Sequence, residues 1–410
     1  MNLELQVNDS TNAAARFVGW TPASCRVRVT NPSGTTGSSI NLKVTSRSNP
    51  GGGELQFRAG SAGNFASSIT LSVPTNGATI LFFAAGKFGK PSSTLGDVAI
   101  EILDGSTVVN SVPVMVRIRK NANNLSPQER DRFVGAFAKL NDQGQGRFKD
   151  FRDMHVRISL SQAHGAPGFL PWHRAYLLDL ERDLQAIDPS VALPYWRFDE
   201  PAPNIFTEDF LGEADANGTV HFSENNPLQY WRADGLLGVD RQPLFALSSA
   251  PELLSEAKTL ALGNAYKGFR TMEIDPHGYA HTSFDGPISN PATAPRDPLF
   301  FLLHCNVDRL WAKWQRKFSR FDAANAASFD TIPSSNPGHK LPDTMWPWNG
   351  VTGNTRPPTA PGGPMSGSPT ASAPGPQPRV VDMLDYQGTL NEVSALGFDY
   401  DDAPSSIGAL

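Results

Sequence analysis

Six of the eight histidines in this 410-residue chain lie in two clusters, and their side chains are the ones best suited to chemistry. The first cluster is His155, His164 and His173, and the second is His277, His281 and His304. A single buried histidine is most often bonded to a carbonyl oxygen, because buried ring nitrogens need partners. Two sets of three, far apart in sequence, instead predict two metal sites with three imidazole ligands each.

Two amphipathic helices must position members of these clusters. Apolar residues recur at helical spacing over 173–187 and over 299–318, which predicts a helix in each range. His173 begins the first helix on its apolar stripe, so its imidazole points into the core. His304 lies on the stripe beside the apolar one in the second helix.

Local patterns place three further segments. His277 and His281 are four residues apart, which puts them on one face if that segment is helical. Ser126 followed by Glu129 is a capping-box pattern and predicts a helix that begins there. A weak helix is predicted near 251–262.

The sequence around the histidines resembles a known family. The motif that begins at His164 is HG-x-P-x-FLPWHR, and the motif that ends at Trp311 is DP-x-F-x-x-x-H-x-x-x-D-R-x-W. Both resemble motifs of the type 3 copper proteins: tyrosinases, catechol oxidases and hemocyanins. The resemblance covers about residues 120–402. It implies a mainly α-helical dicopper domain over 119–402 with a four-helix-bundle core.

The resemblance also implies a ligand set and a cofactor. His155, His164 and His173 would bind one copper ion, and His277, His281 and His304 would bind a second. The implied cofactor is therefore a binuclear copper site, with O2 as co-substrate. A zinc pair could not exchange electrons with O2, because zinc has no accessible redox change. His221 and His339 match no motif, and we interpret them as surface or structural residues.

Four further features would tune such a site. By resemblance, Glu273 holds a water that helps to take a proton from a phenol, and the less favoured alternative is an ordinary helix carboxylate. Gly278 stands where many efficient monophenol hydroxylases have Asn, which favours diphenol oxidation here. Asp308 either orients a metal-bound imidazole or forms a salt bridge. Phe284 and the loop 286–295 lie where relatives place residues over the second copper, and one of them would gate the site.

The implied activity is oxidation of o-diphenols to o-quinones with O2, that is, a catechol oxidase or tyrosinase type of polyphenol oxidase. o-Aminophenols are further expected substrates, and monophenols are weaker ones. Three alternatives stay open: a tyrosinase with full monophenol hydroxylase activity, an O2 carrier of hemocyanin type, and a zinc hydrolase. The third lacks the HExxH glutamate, because the sequence at 277–281 is HGYAH.

Residues 1–118 predict a separate all-β domain, so the chain is multi-domain. Apolar and polar residues alternate with period two between turns rich in Gly, Asn, Pro and Ser, as in Cys25, Val27 and Val29. About seven short strands in this length favour an immunoglobulin-like β-sandwich. The family resemblance does not extend to this region. It could serve in packing, in covering the site, or in partner or oligomer contacts.

The last part of the chain is irregular in composition. Residues 356–379 are rich in Pro, Gly and Ser, which predicts a flexible loop within the dicopper domain. Residues 403–410 are expected to form a short tail.

Composition limits the partners and the location. The net charge of −5 and the lack of a basic cluster give no reason to expect nucleic-acid binding. No apolar run reaches the length of a membrane helix. Two cysteines, Cys25 and Cys305, cannot make a disulfide framework. The opening MNLELQVNDS lacks the features of a secretory signal, so we expect a cytoplasmic protein unless a leader was removed.

Overall fold

The computed structural model of this chain describes residues 2–32, 38–245, 252–333 and 335–405. The chain divides into two compact units. The β unit comprises Met1–Arg119, Ser368–Ala373 and Gln387–Leu410, and the helical unit comprises Lys120–Gly367 and Pro374–Tyr386. The domain boundaries derived from the sequence stay a prediction. The compact units differ from them in that Arg119, Ser368–Ala373 and 387–402, all expected to lie in the dicopper domain, group with the β unit. Part of the expected tail, 406–410, lies outside the described residues.

Two sheets form the β unit. The strands are β1 Leu3–Val7, β2 Phe17–Val18, β3 Ala23–Val29, β4 Ser39–Ser48, β5 Leu55–Arg58, β6 Ser68–Pro74, β7 Ile80–Gly86, β8 Val98–Asp104 and β9 Thr107–Val116. One sheet has the order β1-β3-β7-β5, and the other has the order β2-β9-β8-β4-β6. The sequence predicted about seven strands where the described residues show nine. The two-residue β2 and the four-residue β5 are too short for alternation to reveal them.

The alternation predicted from the sequence places the core of this unit. Along β3, Cys25, Val27 and Val29 are buried while Arg26 and Arg28 are exposed. Successive side chains of a strand point to opposite faces, so one face of each sheet is apolar. The apolar faces of both sheets contribute to one shared hydrophobic cluster.

Eight helices occur in the described part of the helical unit. They are α1 Pro127–Asn141, α2 Phe148–Met154, α3 Leu160–Ala163, α4 Phe169–Ile187, α5 Glu256–Thr259, α6 Tyr266–Phe269, α7 Tyr279–Thr282 and α8 Leu299–Phe318. Three short antiparallel ladders join Glu213–Ala214 to Val220–His221, Arg232–Ala233 to Leu236–Leu237, and Gln242–Pro243 to Phe284–Asp285. None of the helices in the described ranges combines the length and apolarity needed to cross a bilayer.

Capping and periodicity predicted the longer helices well. Ser126 and Glu129 form the capping box at the start of α1. The predicted helix over 299–318 is confirmed as α8. The prediction that a helix begins at His173 was wrong, because α4 begins one turn earlier at Phe169. Proline is tolerated in a first helical turn, where its missing N–H needs no partner, so Pro171 does not delay the start.

The weak helix predicted near 251–262 is shorter than expected. Helix α5 covers Glu256–Thr259, and Ser255 caps it by accepting a hydrogen bond from the Lys258 N–H. Residue 251, at the start of the predicted range, lies outside the described residues.

A mostly helical segment, interrupted by extended backbone at Asp275, carries two of the six clustered histidines. Helix α6 passes into a 3-10 turn at Arg270–Glu273, then into a π-helical turn at Ile274–Gly278, and then into α7. His277 lies in the π-helical turn and His281 lies in α7, and both are buried. The sequence predicted one helical face for this pair, and the chain reaches it through three kinds of helical turn.

The Pro/Gly/Ser-rich segment has neither helix nor strand, but it is tied to α4. The Ser366 N–H donates to Asp179 Oδ1 at 2.8 Å, and the Ser366 hydroxyl donates to Asp183 Oδ1 at 2.6 Å. Arg182 donates to the Ser366 carbonyl at 2.8 Å, and Met365 is buried. The flexibility of 356–379 stays a prediction, and these contacts count against it.

Candidate metal centre

The structure brings all six clustered histidines together as two groups of three. Within each group, His155 with His164 and His173, or His277 with His281 and His304, the candidate ligand atoms lie within 4.8 Å of one another. In the first group, His155 Nε2 is 2.9 Å from His164 Nε2 and 3.3 Å from His173 Nε2. In the second group, His304 Nε2 is 3.4 Å from His277 Nε2 and 3.2 Å from His281 Nε2. Each group therefore converges on its Nε2 atoms.

Backbone carbonyls fix the orientation of four of the six rings. The pairs are His155 Nδ1 with Pro291 O at 2.8 Å, His173 Nδ1 with Phe169 O at 2.8 Å, His277 Nδ1 with Glu273 O at 2.7 Å, and His281 Nδ1 with Ile288 O at 2.8 Å. A carbonyl oxygen can only accept, so each Nδ1 carries the hydrogen. The Nε2 lone pair of each ring is then left to face the centre of its group.

A carboxylate fixes the fifth ring. His164 Nδ1 donates to Glu273 Oε1 at 3.0 Å, and the Gly165 N–H donates to the same oxygen at 2.7 Å. The Glu273 backbone carbonyl serves His277 as well. Glu273 thus orients one imidazole of each group, one through its side chain and one through its backbone. The sequence had assigned it only a role in holding water.

The sixth ring is positioned by packing. His304 Nδ1 is buried and has no hydrogen-bond partner among the described residues. Its ring stacks on His173 with centroids 4.2 Å apart and planes 10° apart, and Phe300 lies against it, also at 4.2 Å. Because His173 is on α4 and His304 is on α8, this stacking joins the two groups along the contact between these helices.

The buried rings are neutral at neutral pH. Burial lowers the pKa of His155, His173, His277 and His304 well below the usual range, with repulsion between neighbouring imidazoles as the next cause. Burial likewise lowers the pKa of His281 to about 4. A histidine must be deprotonated at the ligating nitrogen to bind a metal, so the environment prepares these rings as ligands.

These observations fit a pair of copper ions. Neutral imidazoles suit copper as well as zinc, iron and nickel, so the donor set alone permits several metals. Five of the six rings have Nδ1 hydrogen-bonded to an oxygen of the protein, the arrangement that makes Nε2 a ligand atom. Nothing in the two groups disagrees with two three-histidine copper sites.

A cavity of about 550 Å³ reaches the two groups. Its lining residues are His155, His164, Gly165, Arg270, Thr271, Glu273, Ile274, His277, Gly278, His281, Thr282, Ser289 and Pro291. Four of the six imidazoles therefore border this space, while His173 and His304 are not among its lining residues. The cavity volume suits a small aromatic molecule.

Gly278 lies on the cavity wall, as the sequence suggested for a residue that tunes the site. A Cβ added to it would meet only the Glu273 carbonyl oxygen, at the ordinary contact distance of 3.5 Å. Its φ of −59° also suits any residue. Position 278 therefore has room for a side chain, although the residue there is glycine.

Asp308 forms a buried salt bridge. Its Oδ1 accepts from Arg174 Nε at 2.6 Å, with both side chains at most 1% exposed. Arg174 also donates to Gln315 Oε1 and to the Met383 carbonyl, and its guanidinium lies 3.7 Å from the centroid of the Trp311 ring. Of the two interpretations left open by the sequence, these contacts favour the salt bridge between α4 and α8.

Phe284 packs in a cluster of aromatic side chains. It is buried among Trp196, Phe206 and Phe245, with ring centroids 5.8, 5.6 and 4.9 Å away, and it is not among the residues that line the cavity. The expectation that it gates the site is therefore not supported. Burial against other aromatic rings is favourable for a phenylalanine side chain, which is the physical reason for this placement.

The loop 286–295 has a role that sequence reasoning missed. Pro291 and Ile288 supply the carbonyls that orient His155 and His281, one from each group, and Ser289 and Pro291 border the cavity. Backbone carbonyls have no residue-type signature, so no sequence signal could have identified them. The Phe169 carbonyl is different, because an acceptor four residues before His173 follows once α4 is known to begin there.

The two remaining histidines have the roles expected of them. His221 is exposed and lies 3.2 Å from Asp215. His339 is buried and structural: its Nδ1 accepts from the Gly168 N–H at 3.0 Å and its Nε2 donates to the Ser161 carbonyl at 2.9 Å. Among the described residues, neither belongs to a group of three possible metal ligands.

Comparison with known proteins agrees with this geometry. A family model described as the common central domain of tyrosinase matches residues 145–317. The tyrosinase of Streptomyces glaucescens is 31% identical over 262 residues, covering 57% of this chain and 92% of that protein. The tyrosinase of Streptomyces antibioticus is 29% identical over 267 residues, covering 57% of this chain and 94% of that protein. Among solved structures, a functional unit of octopus hemocyanin covers 70% of this chain and 69% of its own, at 21% identity and a TM-score of 0.46.

The chain therefore belongs to the tyrosinase family of type 3 copper proteins. The resemblance seen in the sequence is confirmed. The protein is a copper-dependent oxidoreductase of the phenol oxidase type, with two copper ions as cofactor and O2 as co-substrate. The carrier alternative is not better supported than the enzyme.

Proposed function

We propose that this chain oxidises o-diphenols to o-quinones and hydroxylates monophenols weakly or not at all. Two diphenols and one O2 give two quinones and two waters, so each diphenol loses two electrons and two protons. The observation that carries the proposal is the cavity of about 550 Å³, because it brings a space large enough for a phenol to four of the six imidazoles. o-Aminophenols fit the same chemistry, since they too can be oxidised across two ortho heteroatoms.

We assign the copper ligands residue by residue. His155, His164 and His173 would bind one ion through Nε2, and His277, His281 and His304 would bind the other. When bound, the pair supplies the electron exchange between the diphenol and O2, each ion changing between its two oxidation states. The chain's contribution is to orient five of the rings through Nδ1 and to keep the five fully buried rings, those other than His164, neutral by burial.

Glu273 is the proposed proton acceptor. Its Oε1 accepts the two bonds from His164 and Gly165, while its Oε2 accepts none from the described residues. Glu273 borders the cavity, so Oε2 is available to a bound phenol, directly or through one water. The residue would then combine two functions: it orients a ligand and it receives a proton.

Gly278 is the reason for preferring diphenols. A monophenol must lose its proton before it can be hydroxylated, and an amide beside Glu273 would help to position the water that takes it. Glycine has no side-chain amide to place at this point of the cavity wall. A tyrosinase with full monophenol hydroxylase activity is the second candidate, since Glu273 is present without such a partner.

The carrier alternative is disfavoured by the same cavity. A reversible O2 carrier keeps phenols away from its metal ions, whereas here a space large enough for a phenol borders His155, His164, His277 and His281. The zinc hydrolase alternative still lacks a general base in the HGYAH segment.

The finer description of the fold is also a proposal. The two sheets that share one core support an immunoglobulin-like sandwich for the β unit. The four elements next to the ligands, α2, α4, the helical segment 266–282 and α8, support a four-helix core. Three expectations stay predictions from the sequence: no nucleic-acid partner, partner or oligomer contacts through the β unit, and a cytoplasmic location.

Oxygen uptake by the copper-loaded chain tests the proposed function. 4-Methylcatechol and p-cresol are a matched pair, because they differ only in the second hydroxyl group. We expect rapid uptake with the diphenol and little with the monophenol. The variant Gly278→Asn should raise the monophenol rate relative to the diphenol rate, since its side chain has room beside the Glu273 carbonyl.

Three outcomes would contradict parts of this proposal. Comparable uptake with both phenols in the wild type would make the protein a full tyrosinase. An unchanged ratio of rates in Gly278→Asn would remove glycine as the cause of the preference. No uptake with either phenol, despite two bound copper ions, would refute the enzyme and favour a carrier.

A further inference from the structure

Arg270 is a charged cavity residue that the copper chemistry does not use. It borders the same cavity as His164, Glu273 and His277. Four of the lining residues are imidazoles, and the acidic and basic side chains there are Glu273 and Arg270. A cation so placed adds a positive charge to the wall that a bound substrate would meet.

The guanidinium of Arg270 has N–H groups that can donate hydrogen bonds to a ligand. It makes no hydrogen bond to any described residue, and its Nε is buried without a partner. Its one ion pair in the described ranges is with Asp330, at an N to O distance of 3.7 Å, which is beyond hydrogen-bonding distance. Arginine carries five N–H donors, and leaving the buried Nε–H unpaired is costly, so the arrangement favours an anionic ligand.

Glu273 does not cancel this charge by direct contact. Its Oε1 is engaged by His164 and Gly165, and no ion pair joins Glu273 to Arg270 within 4.0 Å. The two residues begin and end the same 3-10 turn. With a rise of about 2.0 Å per residue, they are about 6 Å apart along the axis. That separation suits a ring bound near His164 with a short side chain that reaches towards Arg270.

We propose that Arg270 binds the carboxylate of an acidic o-diphenol, so that the enzyme prefers catechols with an anionic side chain. The proposal deepens the proposed function and rests on it. A guanidinium can form two parallel hydrogen bonds with one carboxylate, which fixes the orientation of the substrate as well as its charge. The other end of such a substrate is then directed to the imidazoles.

Kinetics with a matched pair of substrates tests this preference in the copper-loaded full chain. The pair is 3-(3,4-dihydroxyphenyl)propanoate and its methyl ester, which present the same ring with and without the negative charge. In Arg270→Gln we expect KM for the acid to rise about tenfold, the loss of one charge-assisted interaction, and KM for the ester to change by less than about twofold. A merely structural role for Arg270 would instead change both substrates alike.

Two further variants sharpen the test. Asp330→Asn removes the carboxylate that competes for Arg270, so KM for the acid should fall about two- to fivefold, as expected for a partly exposed pair. Lys267→Gln removes an exposed positive charge one turn earlier that does not border the cavity, and it should leave the preference unchanged. If Arg270→Gln fails to retain copper, Asp330→Asn carries the test.

Binding provides a readout besides turnover. 3-Phenylpropanoate and 3-phenylpropanamide cannot be oxidised at their unsubstituted rings, so calorimetry on the copper-loaded chain measures binding alone. We expect the acid to bind about tenfold more tightly than the amide in the wild type, and the difference to disappear in Arg270→Gln.

The outcomes separate this proposal from the one on which it rests. If the ester is oxidised but neither Arg270→Gln nor Asp330→Asn changes the acid-to-ester ratio, the carboxylate site is refuted while the phenol oxidase stands. If neither catechol is oxidised, yet 3-phenylpropanoate binds through Arg270, the phenol oxidase fails while the anion site stands.

Discussion

Glu273→Ala is the variant whose effect follows most directly from the contacts of the metal centre. The substitution removes Oε1, which accepts from His164 Nδ1 at 3.0 Å and from the Gly165 N–H at 2.7 Å. It leaves the Glu273 backbone carbonyl in place, so the bond from His277 Nδ1 at 2.7 Å is kept. The substitution therefore affects the group that contains His164 and leaves the contacts of the group that contains His277 unchanged.

The expected magnitude is a loss of copper affinity at one site. Removing the hydrogen-bond partner of a ligating imidazole typically weakens metal binding about 10- to 100-fold, which is about 1.4 to 2.7 kcal/mol. His164 and Glu273 have side chains that are 18% and 14% exposed, so water can replace part of the lost bonding. We therefore expect the lower half of that range. The second site, with His277, His281 and His304, should retain wild-type affinity.

Equilibrium dialysis against a copper chelator, with bound copper counted per chain, measures this effect. Wild type should fall from two ions to none as the chelator rises. Glu273→Ala should pass through a plateau at one ion. Glu273→Gln keeps a carbonyl oxygen that can accept from His164, so it should bind two ions but oxidise catechols more slowly, because an amide cannot take a proton. Ser289→Ala is the control, since Ser289 borders the cavity and, among the described residues, its hydroxyl bonds to the Gly286 carbonyl alone.

Three results would refute parts of the reasoning. Wild-type affinity for both ions in Glu273→Ala would show that the bond to His164 does not orient a ligand. Loss of both ions in parallel, with circular dichroism unchanged, would show that the two sites cannot be perturbed separately. A wild-type rate in Glu273→Gln would remove the carboxylate from proton transfer.

Two predictions concern stability and structural histidines. Asp308→Ala leaves the buried Arg174 without its carboxylate, so the free energy of unfolding, measured in urea, should fall by about 3–5 kcal/mol, and a loss under 1 kcal/mol would contradict the salt bridge as described. His339→Ala strands the Gly168 N–H and should cost about 1–3 kcal/mol while the chain still binds two copper ions. Its matched control, the exposed His221→Ala, should change stability by less than about 0.5 kcal/mol, and copper loss in either histidine variant would contradict its exclusion from the metal centre.

The sequence by itself determined the parts of the molecule that depend on local patterns. Six histidines in two groups of three, apolar periodicity over 299–318 and the Ser126–Glu129 capping box each led to a feature that the structure contains. The same holds for the alternation along β3. These signals are local because a helical turn, a cap and a pleat each involve residues only two to four apart. In these segments the tertiary structure agrees with the local sequence signals.

The tertiary structure alone decided which groups orient the ligands. The Pro291 carbonyl is distant in sequence from His155, which it orients, and the Ile288 carbonyl that orients His281 has no residue-type signature. Both become acceptors for these histidines only when the chain folds. Glu273 was identified as a site residue, but its bond to His164 spans more than a hundred positions and could not be inferred from spacing. An acceptor is defined by direction and distance, and one sequence encodes neither for residues that far apart.

Competition for burial decided the rest. Phe284 packs with other aromatic rings and not at the cavity, because an apolar ring is stabilised by leaving water. Asp308 pairs with Arg174, because a buried charge needs a partner of opposite charge. The segment 356–379 has a composition typical of a flexible loop, yet Ser366 and Met365 attach it to α4 or to the core. Composition describes what a segment can bury by itself, and only the fold shows what the rest of the chain offers it.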